Sequence, residues 1–577
     1  MNNIPGYENF LKIELVDKGW SSDKKYYIET KDGSRLLLRI SSRESYDNKK
    51  IEFEMMQKVE KMGIPMSKPL QFGLCDDGVY ALFTWCDGED AEKRLPQLSE
   101  AEQYMLGVKS GEYLRQIHSI PAPEKKEPWN IRFNRKIDRN MKNYEACEIH
   151  FDGDKKMIEY LEANRYLLDE RPQCFQHGDY HVGNMILDSD NILSVIDFNR
   201  KDFGDPWEEF NRISFSVVAS PHFATGQLNG YFGGTPPMKF FQLLAFYMAS
   251  NTLSAIPWAI PFGEKEIQTM LKQAADVLAW FSDMQNPVPT WYLKDFYVQK
   301  MDGIPYKLKE PFDFSFLKKY GKVFTIFDDQ DSGNICFGVQ QEKEKYFIKF
   351  AGAPTSRKTI GKKEAIANLK VTETIYKDLA HPSLIKLIDT EEMQDGYAMR
   401  FQWEDGDCFG RMYPESHARF QRLPIEHKLG VFSDILSFHA FAAEKGYVAI
   451  DFYDGSLMYY AEKKKTIICD IDLYAKKPYI NQMGRLWGSA RYMSPEEFQL
   501  GAAIDEVSNV YAMGAMAFSL FGGTWRDDTK SWSKDISEWR LNEKMFSVVL
   551  KAVSPERKKR QQSINELIRQ WHQASLR

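Results

Sequence analysis

The stretch His177-Gly178-Asp179-Tyr180-His181-Val182-Gly183-Asn184, followed by Ile196-Asp197-Phe198, decides how the rest of the chain reads. It places an aspartate, an asparagine five residues later and a second aspartate eighteen after the first. Transfer of a phosphoryl group needs an acceptor hydroxyl oriented by a carboxylate, and hard oxygen ligands for a Mg²⁺ that bridges the phosphates. One loop and one strand end supply all three: Asp179 to take the hydroxyl proton, and Asn184 and Asp197 to ligate the metal. The alternative, a tight turn beside a buried strand end, requires three independent positions to match by accident.

The segments upstream have the periodicities of a sheet crossed by one helix. KKYYIET and RLLLRIS, parted by the turn KDG, read as strands, and a helical stretch runs from about Asn48 to Met62. Helical spacing follows from Leu98 to Ser119 and from Lys155 to Asp169, and a final helix from Glu264 to Met284 closes the unit. The uncharged stretch 240–263 is nearly long enough to span a bilayer, but Gln242, Ser250, Asn251, Thr252 and two prolines favour a buried helix, so no membrane is expected.

This unit resembles the aminoglycoside phosphotransferase and choline kinase-like family, a branch of the protein-kinase fold, over residues 1 to about 285. The matching text is QHGDYHVGNMIL, VIDFNRKDFGDPWEEF and the N-terminal GWSSDKKYYIE…LLLRIS…EFEMMQKVEKMGIPMSKPL. The resemblance implies that Arg39 holds the nucleotide phosphates and that Glu54 is the helix carboxylate pairing with it. It implies ATP or GTP and Mg²⁺ as cofactors, and the hydroxyl of a small molecule as acceptor. His177, Asp205 and Pro206 read as loop supports, with Glu209 where the family often has Asp. Asp202, Asp205, Glu208 and Glu209 could attract a polycationic acceptor or serve as an exposed face or buried support.

The pattern then restarts. QNPVPTWYLKDFYVQKMDGIPYKLKEPFDF has the composition of a connector, and residues 286–311 are expected to link 1–285 to a second domain at 312–577. KVFTIF, ICFGVQ and YFIKFAGA read as strands, with a helix from Ile360 to Leu379. Asp451 and Ser456 repeat the Asp179 to Asn184 spacing, and Asp470 follows in CDIDLY. WGSARYMSPEEF, IDEVSNVYAMGAMAF and SPERKKRQQSINEL resemble three segments of Ser/Thr protein kinases in the right order. That resemblance implies Lys349 as phosphate anchor, Glu373 as its helix partner, Asp451 as base, and Asp470 and Ser456 as metal ligands. Spacing from His381-Pro382 would instead put Thr372 at the helix position. The departures are Tyr453 for the usual lysine, Ser456 for asparagine, and the acidic turn DDQDSGN, whose Asp328, Asp329 and Asp331 would repel a triphosphate.

The expected fold is therefore α+β: two tandem protein-kinase-like domains, each with a small sheet-containing lobe and a mostly helical lobe. The leading function is an ATP- and Mg²⁺-dependent phosphotransferase. Its second domain is a divergent protein kinase or pseudokinase, with a protein substrate or partner. The rival is a regulatory protein whose kinase-like domains bind nucleotide or a partner without turnover. With 577 residues, 43% hydrophobic and 27% charged, the chain can fill large cores, and a net charge of -6 gives no basic footprint for nucleic acid. Seven scattered cysteines without a CxxC pair, and an N-terminus unlike a signal peptide, point to the cytoplasm.

Overall fold

A computed structural model of the chain describes residues 3–17, 23–356, 360–393 and 395–576. The GWSS part of the N-terminal motif lies outside the described residues. The chain divides into two compact units, Met1–Val298 and Gln299–Arg577. A hairpin of Tyr297–Met301 and Ile304–Leu308 occupies the stretch expected to be a plain connector.

The first unit opens with strands β1 (Phe10–Leu15), β2 (Lys24–Thr30) and β3 (Arg35–Ser41), helix α1 (Tyr46–Glu60), and strands β4 (Pro69–Cys75) and β5 (Gly78–Thr84). The sheet order is β1-β2-β3-β5-β4, with every pairing antiparallel. β3 is the central strand, and Arg39 sits opposite Lys25 on one side and Ala81 on the other. α1 buries Glu52, Phe53, Met55, Met56 and Val59, a stripe at helical spacing that covers the sheet. A carboxylate inside that stripe is a costly choice unless it is paired.

The helical part is organised around a close crossing. Helix α2 (Glu100–Ile117) starts at a Ser99/Glu102 capping box and packs along helix α3 (Pro221–Phe232). A Cβ added at Gly107 or Gly111 would fall 2.1 or 2.0 Å from a carbonyl oxygen of α3, and one at Gly226 or Gly230 would fall 2.2 or 2.0 Å from one of α2. The two backbones touch because all four positions lack a side chain. Helix α4 (Met238–Ala259) buries Phe240, Phe241, Phe246 and Tyr247 inside this unit. Together with the turn to Phe262 it is long and apolar enough to cross a membrane by length and composition, and 67% of its most apolar window is buried.

The second unit repeats the sheet. Strands β8 (Lys322–Phe327), β9 (Ile335–Gln341), β10 (Glu344–Ala351), β11 (Leu387–Met393) and β12 (Gly396–Gln402) pair in the order β8-β9-β10-β12-β11. Helix α5 (Lys362–Asp378) again precedes the fourth strand, and Lys349 again sits on the central strand, opposite Cys336 and Met399. Helices α6 (Ile425–Glu444) and α7 (Glu506–Phe521) build the core of the rest. Between these sheets in the chain, the first unit holds two more short strands, β6 (Met185–Leu187) and β7 (Leu193–Val195).

Candidate active site

The two short strands β6 (Met185–Leu187) and β7 (Leu193–Val195) pair antiparallel and hold the two ends of the motif together. The Ile196 N–H donates to the Asn184 carbonyl at 3.0 Å, which sets Asn184 beside Asp197. The Asn184 side-chain amide donates to the Asp179 carbonyl at 2.8 Å. The three residues singled out from spacing are thus brought into one place. Asp197 has φ 67°, a left-handed conformation that costs a non-glycine residue about 1 kcal/mol or more and that clusters at functional sites.

The loop is braced from every side. Gly178 has φ 86°, and a Cβ there would fall 1.9 Å from the Arg200 carbonyl, so only glycine fits. Glu209 accepts from the Gly178 N–H at 2.9 Å. His177 is fully buried, donates through Nε2 to the Ile196 carbonyl at 2.9 Å and accepts at Nδ1 from the Asp179 N–H at 3.3 Å. Burial holds its pKa below the ordinary value, so it is a neutral brace. The Tyr180 hydroxyl donates to the Ser110 carbonyl on α2 at 2.8 Å, which ties the loop to the glycine crossing.

Two arginines and a histidine surround Asp179. His181 Nε2 lies 3.6 Å from it, Arg212 Nε 3.7 Å and Arg200 Nε 3.8 Å. Burial works against its charge, but His181, Arg212 and Arg200 outweigh it and lower its pKa to about 2. It is ionised throughout the physiological range. Arg200 lies within the VIDFNRKDFGDPWEEF stretch and Arg212 just beyond it, and the fold brings both beside Asp179.

Arg39 reaches Asp197 at 2.9 Å and Asp23 at 3.2 Å. Lys49 bonds Asp23 at 2.7 Å and Glu52 at 3.3 Å, and Ser41 donates to Asp23 at 2.7 Å. Asp23, Arg39, Ser41 and Lys49 line one small cavity with Glu52. Glu54, expected as the helix partner of Arg39, is instead exposed. Two residues along a helix is a rotation of about 200°, so Glu54 lies off the buried stripe that carries Glu52. The signal was in the periodicity: Glu52 stands three, four and seven residues before the buried Met55, Met56 and Val59. Replacing Glu52 with alanine is expected to weaken nucleotide binding about tenfold or more, as loss of a charge-assisted contact worth roughly 1.5–3 kcal/mol does. Glu54→Ala should change it less than twofold. Calorimetric titration of both variants decides between the two positions.

The four acids after Asp197 are already engaged. Asp205 is fully buried, takes two bonds from Arg171 at 2.7 Å each and one from the Tyr247 hydroxyl at 2.5 Å. Asp202 pairs with Arg132, Glu208 with Lys136 at 3.1 Å, and Glu209 holds Gly178 with His118 at 3.6 Å. All four therefore have partners within the unit.

In the second unit the backbone of the motif and both of its aspartates are kept, and Ser456 stands in place of the asparagine. The Cys469 N–H donates to the Ser456 carbonyl at 2.9 Å, matching the Ile196 to Asn184 bond, and Asp470 has φ 57° where Asp197 has 67°. Ser456, read as a metal ligand, is fully buried and its hydroxyl has no hydrogen-bond partner among the described residues. Asp451 has its pKa raised to about 7 by burial and then by the Asp470 charge. Glu373, expected to pair with Lys349, instead bonds Lys377 at 2.6 Å, Thr390 at 3.0 Å and the Tyr397 hydroxyl. Thr372 takes the buried helix position. Lys349 contacts Asp472 at 2.5 Å and Asp470 at 3.4 Å. Burial opposes its charge, but the two carboxylates outweigh that and hold its pKa above the ordinary lysine value. The acidic turn also differs from expectation: Asp328 accepts from the Lys307 N–H at 2.7 Å and Asp329 pairs with Lys307 Nζ at 3.1 Å, so both face the preceding hairpin.

No group of three or more His, Cys, Asp or Glu able to hold a metal stands among the described residues. A Mg²⁺ site of one carboxylate and one amide, completed by phosphates and water, needs no such group. The Asn184 side chain spends its amide on Asp179 and leaves Oδ1 without a donor among the described residues, which suits that use.

Comparison with known proteins follows the same division. No curated protein matches the chain. Among solved structures, a choline/ethanolamine kinase family protein from Mesorhizobium loti is similar at 15% identity and TM-score 0.38, over 50% of this chain and 95% of that one. An apo thermostable mutant of aminoglycoside phosphotransferase APH(4)-Ia is similar at 15% and 0.36, over 47% and 95%. ADP-bound aminoglycoside phosphotransferase APH(2'')-Ib is similar at 16% and 0.35, over 47% and 96%. Residues 12–241, which carry Arg39, Asp179, Asn184 and Asp197, match the model of the phosphotransferase enzyme family, and that match gives the first unit its activity class: a kinase acting on a hydroxyl acceptor.

Proposed function

We propose that the first unit transfers the γ-phosphoryl group of ATP or GTP to a hydroxyl of a small molecule, with Mg²⁺ as cofactor. The observation that carries the reading is the joined pair Asn184 and Asp197 with Asp179 one hydrogen bond away. Arg39 and Asp23 lie on the nucleotide side, Arg39 bonded to Asp197. Asn184 and Asp197 would hold the metal, whose charge offsets that of the phosphates when bound. Asp179 orients the acceptor hydroxyl. The bond between the γ-phosphorus and its bridging oxygen breaks, a bond to the acceptor oxygen forms, and the hydroxyl proton passes to Asp179 as the nucleoside diphosphate leaves. A carboxylate with a pKa of about 2 is a weak base, which fits a loose transition state in which the proton moves late. A turnover screen of the full chain against amines, sugars and other hydroxyl compounds, with Mg-ATP or Mg-GTP, tests this. Phosphorylated product is the expected result, and failure of the protein to bind either nucleotide overturns the reading. A cytoplasmic location is part of this proposal, and seven free thiols are what supports it.

For the second unit the Lys349 to Asp472 contact favours a divergent, protein-kinase-like unit that has exchanged catalysis for regulation or partner binding. Asp472 supplies from within the chain the charge that a helix carboxylate or a phosphate would supply. With the first site silenced by Asp197→Ala, Mg-ATP should raise the melting temperature only slightly. Adding Asp472→Gly should enlarge that shift toward the roughly 2.7 kcal/mol expected at a hundredfold excess over Kd. A large shift before Asp472 is changed, with label transfer to protein, would instead make this unit an active kinase.

A further inference from the structure

The acceptor side of the first site carries more positive charge than its one carboxylate balances. Arg200 and Arg212 both approach Asp179 through Nε, at 3.8 and 3.7 Å, too far for a hydrogen bond. Neither guanidinium donates a hydrogen bond to any other group among the described residues. Their side chains are 45% and 29% exposed, so their remaining donors are open to a ligand in the cleft. Two guanidiniums beside one part-buried carboxylate leave a local excess of one positive charge, and the planar fork of arginine suits carboxylate or phosphate oxygens. The acids that would reverse this sign, Asp202, Asp205, Glu208 and Glu209, are spent on Arg132, Arg171, Lys136 and the Gly178 amide.

We propose that the acceptor is a hydroxy compound bearing an anionic group, carboxylate or phosphate, held by Arg200 and Arg212 while Asp179 orients its hydroxyl. The proposal rests on the phosphotransferase reading of the same site and narrows its substrate class. A polyamine acceptor would meet two like charges beside the reacting hydroxyl, which costs affinity rather than adding it.

The test uses matched acceptors on the full chain with Mg-ATP: glycerol, glycerate, glycerol 3-phosphate and 3-amino-1,2-propanediol, and in parallel glucose, glucuronate, glucose 6-phosphate and glucosamine. The anionic members should have kcat/KM at least tenfold above the neutral member, and the amines should fall below it. The carboxylate and phosphate arms separate the two sources of charge. In Arg200→Gln/Arg212→Gln the ratio of anionic to neutral kcat/KM should collapse toward one, mainly through KM. A binding arm needs no turnover: glycerate or glycerol 3-phosphate should raise the melting temperature of the Mg-ADP-loaded wild type and not that of the double variant. Preference for the amine, equal response to all members, or an anion effect that survives the double substitution overturns the proposal. Anion stabilisation without any nucleotide effect would sink the phosphotransferase reading and leave the arginine pair standing. A nucleotide effect without anion preference would do the reverse.

Discussion

Asp179→Asn should cut phosphoryl transfer by the first unit a hundredfold or more while leaving the protein folded and able to bind nucleotide. The side chains are nearly the same shape, and the backbone contacts of the loop, from Asn184 to the Asp179 carbonyl and from the Asp179 N–H to His177, do not use the carboxylate. What is lost is the acceptor of the hydroxyl proton and its orienting charge, a contribution of roughly 10²–10⁴. Nucleotide binding should persist because Arg39, Asp197 and Asn184 are untouched. The two readouts are single-turnover transfer and nucleotide titration of the purified variant. Undiminished transfer would remove Asp179 from the chemistry. Since its pKa is lowered to about 2, the wild-type rate should show no acid limb from this group between about pH 5 and 8.

The largest effect on stability is expected at Asp205. Its carboxylate is fully buried and takes two bonds from Arg171, one from Tyr247 and one from the Trp207 N–H at 2.9 Å. Asp205→Ala strands the Arg171 guanidinium, stacked 3.8 Å from the Trp207 ring, without its counter-charge. Removing one partner of a buried pair costs about 3–5 kcal/mol, because the other charge is left uncompensated. At roughly 2–4 °C per kcal/mol for a domain of 150–250 residues, the melting transition of the first unit should fall by about 10 °C. The paired change Asp205→Leu with Arg171→Met should recover much of that loss. A single variant that melts like the wild type would show the pair to be idle.

The same stretches show how far sequence reaches. The strands KKYYIET and RLLLRIS are found at Lys24–Thr30 and Arg35–Ser41, because turn residues and β-branched runs mark their ends locally. β1 and the β4-β5 pair are not announced by alternation: FLKIEL is an edge strand with largely exposed side chains, PLQFGLC is a mixed edge strand, and GVYALFT is a nearly continuous buried run. Within the site, Asp179, Asn184 and Asp197 were legible because one loop and one strand end carry them. Glu54 is exposed and Glu52 buried because acids two residues apart on a helix differ only in which face is covered, and that depends on the sheet beneath. Asp472, Arg200 and Arg212 were missed for a related reason. Nothing local separates an arginine that faces a catalytic carboxylate from one that faces water.

The glycine crossing of α2 and α3 determines which wall of the cleft can move. Two helices in backbone contact cannot slide smoothly, since each glycine gap must meet a carbonyl of its neighbour, and the next equivalent position is a full turn of about 5.4 Å away. Tyr180 is hung from α2 at Ser110, so the loop that presents Asp179 inherits that fixed register. The acceptor wall is therefore the stationary jaw. Any movement of the sheet against that wall would be felt first at the bond between Arg39 on β3 and Asp197 in the loop.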